Sequence, residues 1–204
     1  MNKIIRFGET IEGYNIPVLN EREIRASAGV LFLVMFFSLM MIIFKGNFLL
    51  IKYVIVLFLT DFLIRVFINP KYSPTLIIGR LIVSRQNPEY VGAAQKKFAW
   101  IIGIILATVM FTFMVVVNAY SPITGIICLI CLAFLFFESA FGICLGCLFY
   151  PLFFKEKAKY CAGEACEVKT KHEIQKISRA QIFIMLGFIA FILLCVFLFN
   201  DNFS

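Results

Sequence analysis

Charged side chains are scarce in this chain of 204 residues, at 15% Asp, Glu, Lys and Arg against about 25% in soluble domains. Histidine is nearly missing, with His172 alone. There is no internal repeat, no low-complexity tract, and no inverted pair of broken helices of the secondary-transporter kind. About 25 polar or mixed residues precede the first apolar run, and no small-residue cleavage site follows it, so that run reads as an uncleaved signal anchor. These shortages exclude a soluble enzyme, a nucleic-acid-binding domain and a disordered protein.

Apolar residues fill the space that charge leaves, at 62% of the chain. Five runs are long enough to cross a bilayer with few charges: Ala26 to Phe44, Phe48 to Ile68, Phe98 to Val117, Pro122 to Leu148 and Ile182 to Phe199;. Together they take up about half of the sequence. The expectation is an all-α fold, a helical integral membrane bundle of about five transmembrane helices. It divides into an N-terminal arm over residues 1–25, a four-helix core over 26–149, a cysteine-containing loop over 150–181 and a fifth helix with a short tail over 182–204.

The formal net charge of +7 carries topology more than affinity. Sixteen of the 19 Lys and Arg fall in the arm or in the loops after the second and fourth runs, and only Lys45 and Lys52 fall on the other side. This asymmetry predicts a cytoplasmic N-terminus, two cytoplasmic loops and an external C-terminus, with the lipid bilayer as the main partner. No nucleic acid is expected, because the basic residues are not interleaved with aromatics on one soluble surface. In the arm, Gly13 and Pro17 oppose a long helix, and Glu9, Glu12, Glu21 and Glu23 balance its four basic residues.

Ser73-Pro74 is a good helix start, with Pro at the first helical position. Leu76, Ile77, Leu81 and Ile82 recur at helical spacing opposite Arg80 and Arg85, so residues 75–85 read as an interfacial amphipathic helix or as a short cytoplasmic helix packed on the bundle;.

Three ionisable residues stand inside the runs, where each must face the bundle or reach an interface. Asp61 and Arg65 are four apart, on one helix face and in the orientation that favours an ion pair. Glu138 lies about 16 Å deep on a rise of 1.5 Å per residue. It either pairs with Arg65 across helices or is protonated at rest, and in the second case it is a candidate proton carrier.

Of seven cysteines, six fall in pairs: Cys128/Cys131, Cys144/Cys147 and Cys161/Cys166, with Cys195 alone. Cys128, Cys131 and Cys195 sit among Leu, Ile and Phe and read as small packing hydrophobes. Cys144-Leu145-Gly146-Cys147 ends the fourth run on the cytoplasmic side, and Cys161 and Cys166 follow in the loop. A reducing compartment disfavours a permanent disulfide there and favours redox exchange or metal binding. Cys144, Cys147, Cys161 and Cys166 have a spacing that fits one zinc ion or an iron–sulfur cluster. At the C-terminal end of a helix the dipole works against a thiolate, and on an unbroken helix Cys147 and Glu138 face opposite ways. His172, in a charged polar segment, reads as a solvated residue with an auxiliary-ligand role as the alternative.

Several stretches are familiar together: Gly13-Tyr14-Asn15-Ile16-Pro17-Val18-Leu19-Asn20-Glu21-Arg22-Glu23, Asp61-Phe62-Leu63-Ile64-Arg65-Val66-Phe67, Tyr72-Ser73-Pro74 and Gln95-Lys96-Lys97-Phe98-Ala99-Trp100. The most specific is Glu138-Ser139-Ala140-Phe141-Gly142-Ile143-Cys144-Leu145-Gly146-Cys147-Leu148-Phe149-Tyr150. In these the chain resembles the uncharacterised bacterial membrane family called domain of unknown function 4395, over most of its length. The resemblance implies a multi-span protein of a bacterial inner membrane in which the Asp/Arg pair, the membrane glutamate and the CLGC pair act as a unit. The family's second cysteine pair is often CxxC, whereas four residues separate Cys161 from Cys166 here. It implies no activity.

Three roles follow from the residues. The first is a thiol relay that passes electrons or sulfur between the membrane and a cytoplasmic thioredoxin- or rhodanese-like partner. It would use Cys144 and Cys147 for exchange, Cys161 and Cys166 for partner contact, and Asp61, Arg65 and Glu138 for the proton. The second is a small transporter or channel for a sulfur-containing or metal ion, lined by the three charged residues. The third is a non-catalytic subunit or scaffold of a membrane complex.

Overall fold

A computed structural model describes residues 7–11, 14–154 and 179–200. The chain is mostly helical. A short strand, β1 (Val18–Asn20), leads into the first long helix, α1 (Glu21–Lys45). Asn20 caps that helix: its side-chain oxygen accepts from the Arg22 backbone N–H, and its amide donates to Glu23;. At the far end Gly46, at φ 59°, stops it;. The helix starts five residues before the apolar run and so takes Glu21 to Arg25 out of the expected arm. The next helix, α2 (Leu49–Leu63), continues through a π turn, Ile64–Ile68.

A short helix α3 (Pro74–Ile82) and a second strand β2 (Tyr90–Gly92) follow. β2 pairs antiparallel with β1, Val18 opposite Gly92 and Asn20 opposite Tyr90, which ties the arm to the loop before the next span. Then come α4 (Ala93–Met110) with a π turn at Phe111–Val116, α5 (Pro122–Phe136) with a π turn at Phe137–Phe141, and α6 (Leu145–Phe154). These elements belong to one compact unit, residues 1–167. In the second unit, residues 168–204, the described element is α7 (Arg179–Asn200).

Among the described residues, three helices are long and apolar enough to cross a membrane: Glu21–Lys45, Ala93–Val116 and Pro122–Phe141. The segment 49–68 has a similar length but carries Lys52, Asp61 and Arg65. In α7 the apolar part counted over described side chains is Gln181–Phe191. Large apolar side chains point outward along the long helices, with Phe44 79% and Phe37 60% exposed. A surface of that kind is stable against lipid and not against water, so this is a membrane protein.

Inward, each helix presents a stripe at three- and four-residue spacing: Ile24, Ala28, Leu31 and Met35 on α1, Ile51, Val54, Ile55 and Phe58 on α2, Trp100, Ala107 and Met110 on α4, and Cys128, Cys131 and Leu135 on α5;. The helix α3 is both packed and amphipathic. Thr75, Leu76 and Gly79 are buried, and a Cβ on Gly79 would overlap the Glu23 carbonyl of α1. Ile77, Ile78, Leu81 and Ile82 face outward instead. Leu76 thus does not share the expected face with Ile77, Leu81 and Ile82, and the helix ends before Arg85. Arg80 donates twice to the Glu23 carboxylate, and this bond raises its guanidinium above its ordinary value.

Candidate functional site

Two buried ionic clusters cross the bundle. In the first, Asp61 and Arg65 form the expected ion pair at 2.8 Å, both 2% exposed. Asp61 Oδ1 accepts from Ser73 Oγ (2.7 Å) and the Thr75 backbone N–H (3.0 Å), while Oδ2 accepts from Arg65 Nε and Thr75 Oγ1 (2.7 Å). Arg65 Nη2 donates to Ser27 Oγ (2.6 Å) and Thr75 Oγ1. Its guanidinium lies over the rings of Phe62 and Trp100;. Three segments, α1, α2 and the start of α3, are therefore joined through one satisfied network.

The second cluster has a member that the sequence reading missed. Glu138 does not pair with Arg65: Lys96 of α4 donates to Glu138 Oε1 at 2.7 Å. The same ammonium lies 2.8 Å from Glu21 Oε2. Glu21 is fully buried, yet neither of its oxygens is in an aligned hydrogen bond among the described residues, so it contributes charge more than direction. The signal was in the spacing. Lys96 continues the stripe of Trp100, Ala107 and Met110, Glu21 that of Ile24 and Ala28, and Glu138 that of Cys131 and Leu135.

The cysteine pair stands on the other side of a helix break. Gly142, at φ 67°, closes the π turn: its N–H donates to the Glu138 carbonyl, and the Ile143 N–H donates to the Phe137 carbonyl;. The expected run Pro122 to Leu148 is thus two helices. The Cys144 carbonyl accepts from the N–H groups of Cys147 and Leu148, which makes Cys144 the N-cap of α6;. The Cys147 backbone N–H also donates to Cys144 Sγ at 3.3 Å. The C-terminal placement of this pair is corrected: it sits at a helix N-terminus, where the dipole favours a thiolate;. Cys144 and Cys147 are joined as a disulfide. Gly146 lets this first turn lie against α4, since a Cβ there would meet Ala99 Cβ at 2.6 Å.

Arg25 of α1 lies across Gly142, with Nη1 3.1 Å from where a Cβ would stand. Gly142→Ala therefore meets both a left-handed backbone and a filled space, at a cost of about 1–2 kcal/mol for the backbone alone. A lower unfolding temperature in detergent, with Cys144 no longer held at the N-cap, is the expected result; an unchanged transition would contradict it.

A small cavity of about 40 Å³ brings the break, α4 and α5 together. Glu138, Cys144, Cys131, Phe62, Trp100 and Gly103 are among the residues that line it, and its size admits water. A larger recess of about 280 Å³ lies on the arm side of Trp100, between Asn20, Glu23, Lys71, Arg80 and Tyr90. The structure thus brings Glu138 and Cys144 together, and it places Asp61 and Arg65 in a separate network that Trp100 adjoins.

Cys161, Cys166 and His172 lie outside the described residues, as does the side chain of Cys195. Among the described residues, no group of three or more His, Cys, Asp and Glu is placed to hold a metal ion.

The sequence profile of the family described as Domain of unknown function (DUF4395) matches residues 19–155. The chain belongs to this family. No curated protein and no solved structure matches it. The matched region begins within β1 and ends just past α6, so both ionic clusters and the CLGC turn fall within the family's span.

Proposed function

We propose that this DUF4395 member is a thiol–disulfide exchange protein of a bacterial inner membrane, with its N-terminus in the cytoplasm and a thioredoxin- or rhodanese-like protein as partner. The observation that carries the reading is Cys144 at the N-cap of α6, its Sγ accepting the Cys147 N–H. Cys147 is half-buried and Cys144 is buried, so a partner thiolate meets Cys147 first.

In that attack a bond forms between the partner sulfur and Cys147 Sγ, and the Cys144–Cys147 bond breaks. Cys144 departs as a thiolate, and a leaving thiol of low pKa leaves faster. A second partner thiolate then attacks the mixed disulfide, releases Cys147 and leaves the partner oxidised and the membrane pair reduced. The Cys144 thiolate takes up a proton that the partner's dithiol has released to water, relayed by Glu138 across the small cavity. Asp61 and Arg65, whose polar atoms are occupied, hold the helices around this site instead of carrying the proton.

The test is reduction of the detergent-purified, full-length protein by reduced thioredoxin, followed by alkylation and thiol counting. Two new thiols at Cys144 and Cys147 are expected. Thioredoxin lacking its resolving cysteine should be trapped on Cys147 and should not be trapped on Cys147→Ser. If dithiothreitol reduces the pair and no thioredoxin-type dithiol does, the exchange reading fails.

A further inference from the structure

We propose that Cys131 is an internal exchange partner of Cys144, so that the disulfide moves from the edge of the bundle into its interior. The proposal rests on the exchange reading of Cys144 and Cys147 and adds the group that receives the disulfide. Cys131 and Cys144 line the same 40 Å³ cavity, and Glu138 lines it with them. Cys131 and Glu138 are seven residues apart, close to two full helical turns, which keeps both on the cavity side.

The two sulfurs of the disulfide differ in access. Cys144 lines the cavity and is 8% exposed, whereas Cys147 does not line it and is half-buried. Exchange needs the attacking sulfur to approach along the bond being broken, and an attack on Cys144 from the cavity expels Cys147 away from the cavity. The free thiol of Cys128 provides the contrast. It lies on the same helix stripe and is equally free, but it is 2% exposed and does not line the cavity.

The step is an isomerisation and needs no added oxidant. Cys131 Sγ bonds to Cys144 Sγ as the Cys144–Cys147 bond breaks. The Cys131 proton passes to Glu138, whose Oε1 accepts from Lys96, and from Glu138 to water. Cys147 leaves as a thiolate and takes a proton from water at the edge of the bundle. The products are a Cys131–Cys144 disulfide and a free Cys147 thiol, with no net change in electrons or protons.

The test uses the full-length protein in detergent without any partner protein, so its outcome is separate from that of partner exchange. Cys147→Ser is oxidised with diamide, alkylated, digested and mapped by mass spectrometry. A linked Cys131–Cys144 peptide is expected, with Cys128 still alkylated. Adding Glu138→Gln should slow the link about a hundredfold, the low end for loss of a general base. Cys144 left alkylated, or linked to any cysteine other than Cys131, overturns the proposal.

Should Cys147→Ser not fold, the wild-type protein held in a glutathione redox buffer and trapped by acid gives the same information. A minor Cys131–Cys144 peptide is expected there and should vanish in Cys131→Val. Its absence from the wild type overturns the proposal equally.

Discussion

Lys96→Met should be one of the two most damaging single substitutions in this protein, lowering its stability in detergent by about 3–5 kcal/mol, the usual cost of removing one partner from a buried ion pair. The ammonium is 2% exposed and stands between Glu21 and Glu138 at 2.8 and 2.7 Å. Without it, two carboxylates remain in the bundle with no cation in contact. Against a total of about 5–15 kcal/mol for a typical domain, that loss removes much of the folded population. A thermal melt followed by circular dichroism measures it. The triple variant Lys96→Met, Glu21→Gln, Glu138→Gln removes all three charges at once and should recover most of the lost stability. A single variant within about 1 kcal/mol of wild type would show that the cluster is not holding α1, α4 and the π turn after α5 together.

Arg65→Met should cost about as much, again about 3–5 kcal/mol, through a different set of contacts. Asp61 keeps its bonds from Ser73 and Thr75 but loses its counter-charge, and the rings of Phe62 and Trp100 lose the cation lying over them. Replacing both members, Asp61→Leu with Arg65→Met, should be milder than either single change, because no uncompensated charge is left. The double variant also separates architecture from chemistry. If the pair only fastens helices, the folded fraction exchanges with thioredoxin at the wild-type rate. A double variant that folds but no longer exchanges would return Asp61 and Arg65 to the proton path.

The two clusters were unequally legible in the sequence. Asp61 and Arg65 are four apart in one apolar run, so their pairing followed from helix geometry alone. Lys96 and Glu21 stand before their apolar runs, among other charged residues, so composition alone assigns them to the loop and the arm. Their burial is decided where α1 begins at Glu21 and α4 at Ala93, five residues before the apolar run in each case. Extending the core stripes by one turn, from Ile24 back to Glu21 and from Trp100 back to Lys96, would have found both.

The helix break was legible only in part. Gly142 and Gly146 were visible as residues, but glycine permits a left-handed turn and does not require one. The break is fixed by packing, because Arg25 of α1 lies across Gly142 and Ala99 of α4 lies against Gly146. That one turn moves Cys144 and Cys147 from the end of one helix to the start of another and reverses the sign of the dipole acting on them.

The sequence by itself determined that this is a helical membrane protein, where its main apolar runs lie, that Asp61 pairs with Arg65, and which family it belongs to. Those facts depend on composition, periodicity and local spacing, which act within a few residues. Only the tertiary structure decided that Lys96 serves Glu138 and Glu21, that the CLGC pair caps a helix, and that Cys131 shares a cavity with Cys144. Each of these depends on which helix faces which, and that is set by the simultaneous packing of residues far apart in the chain.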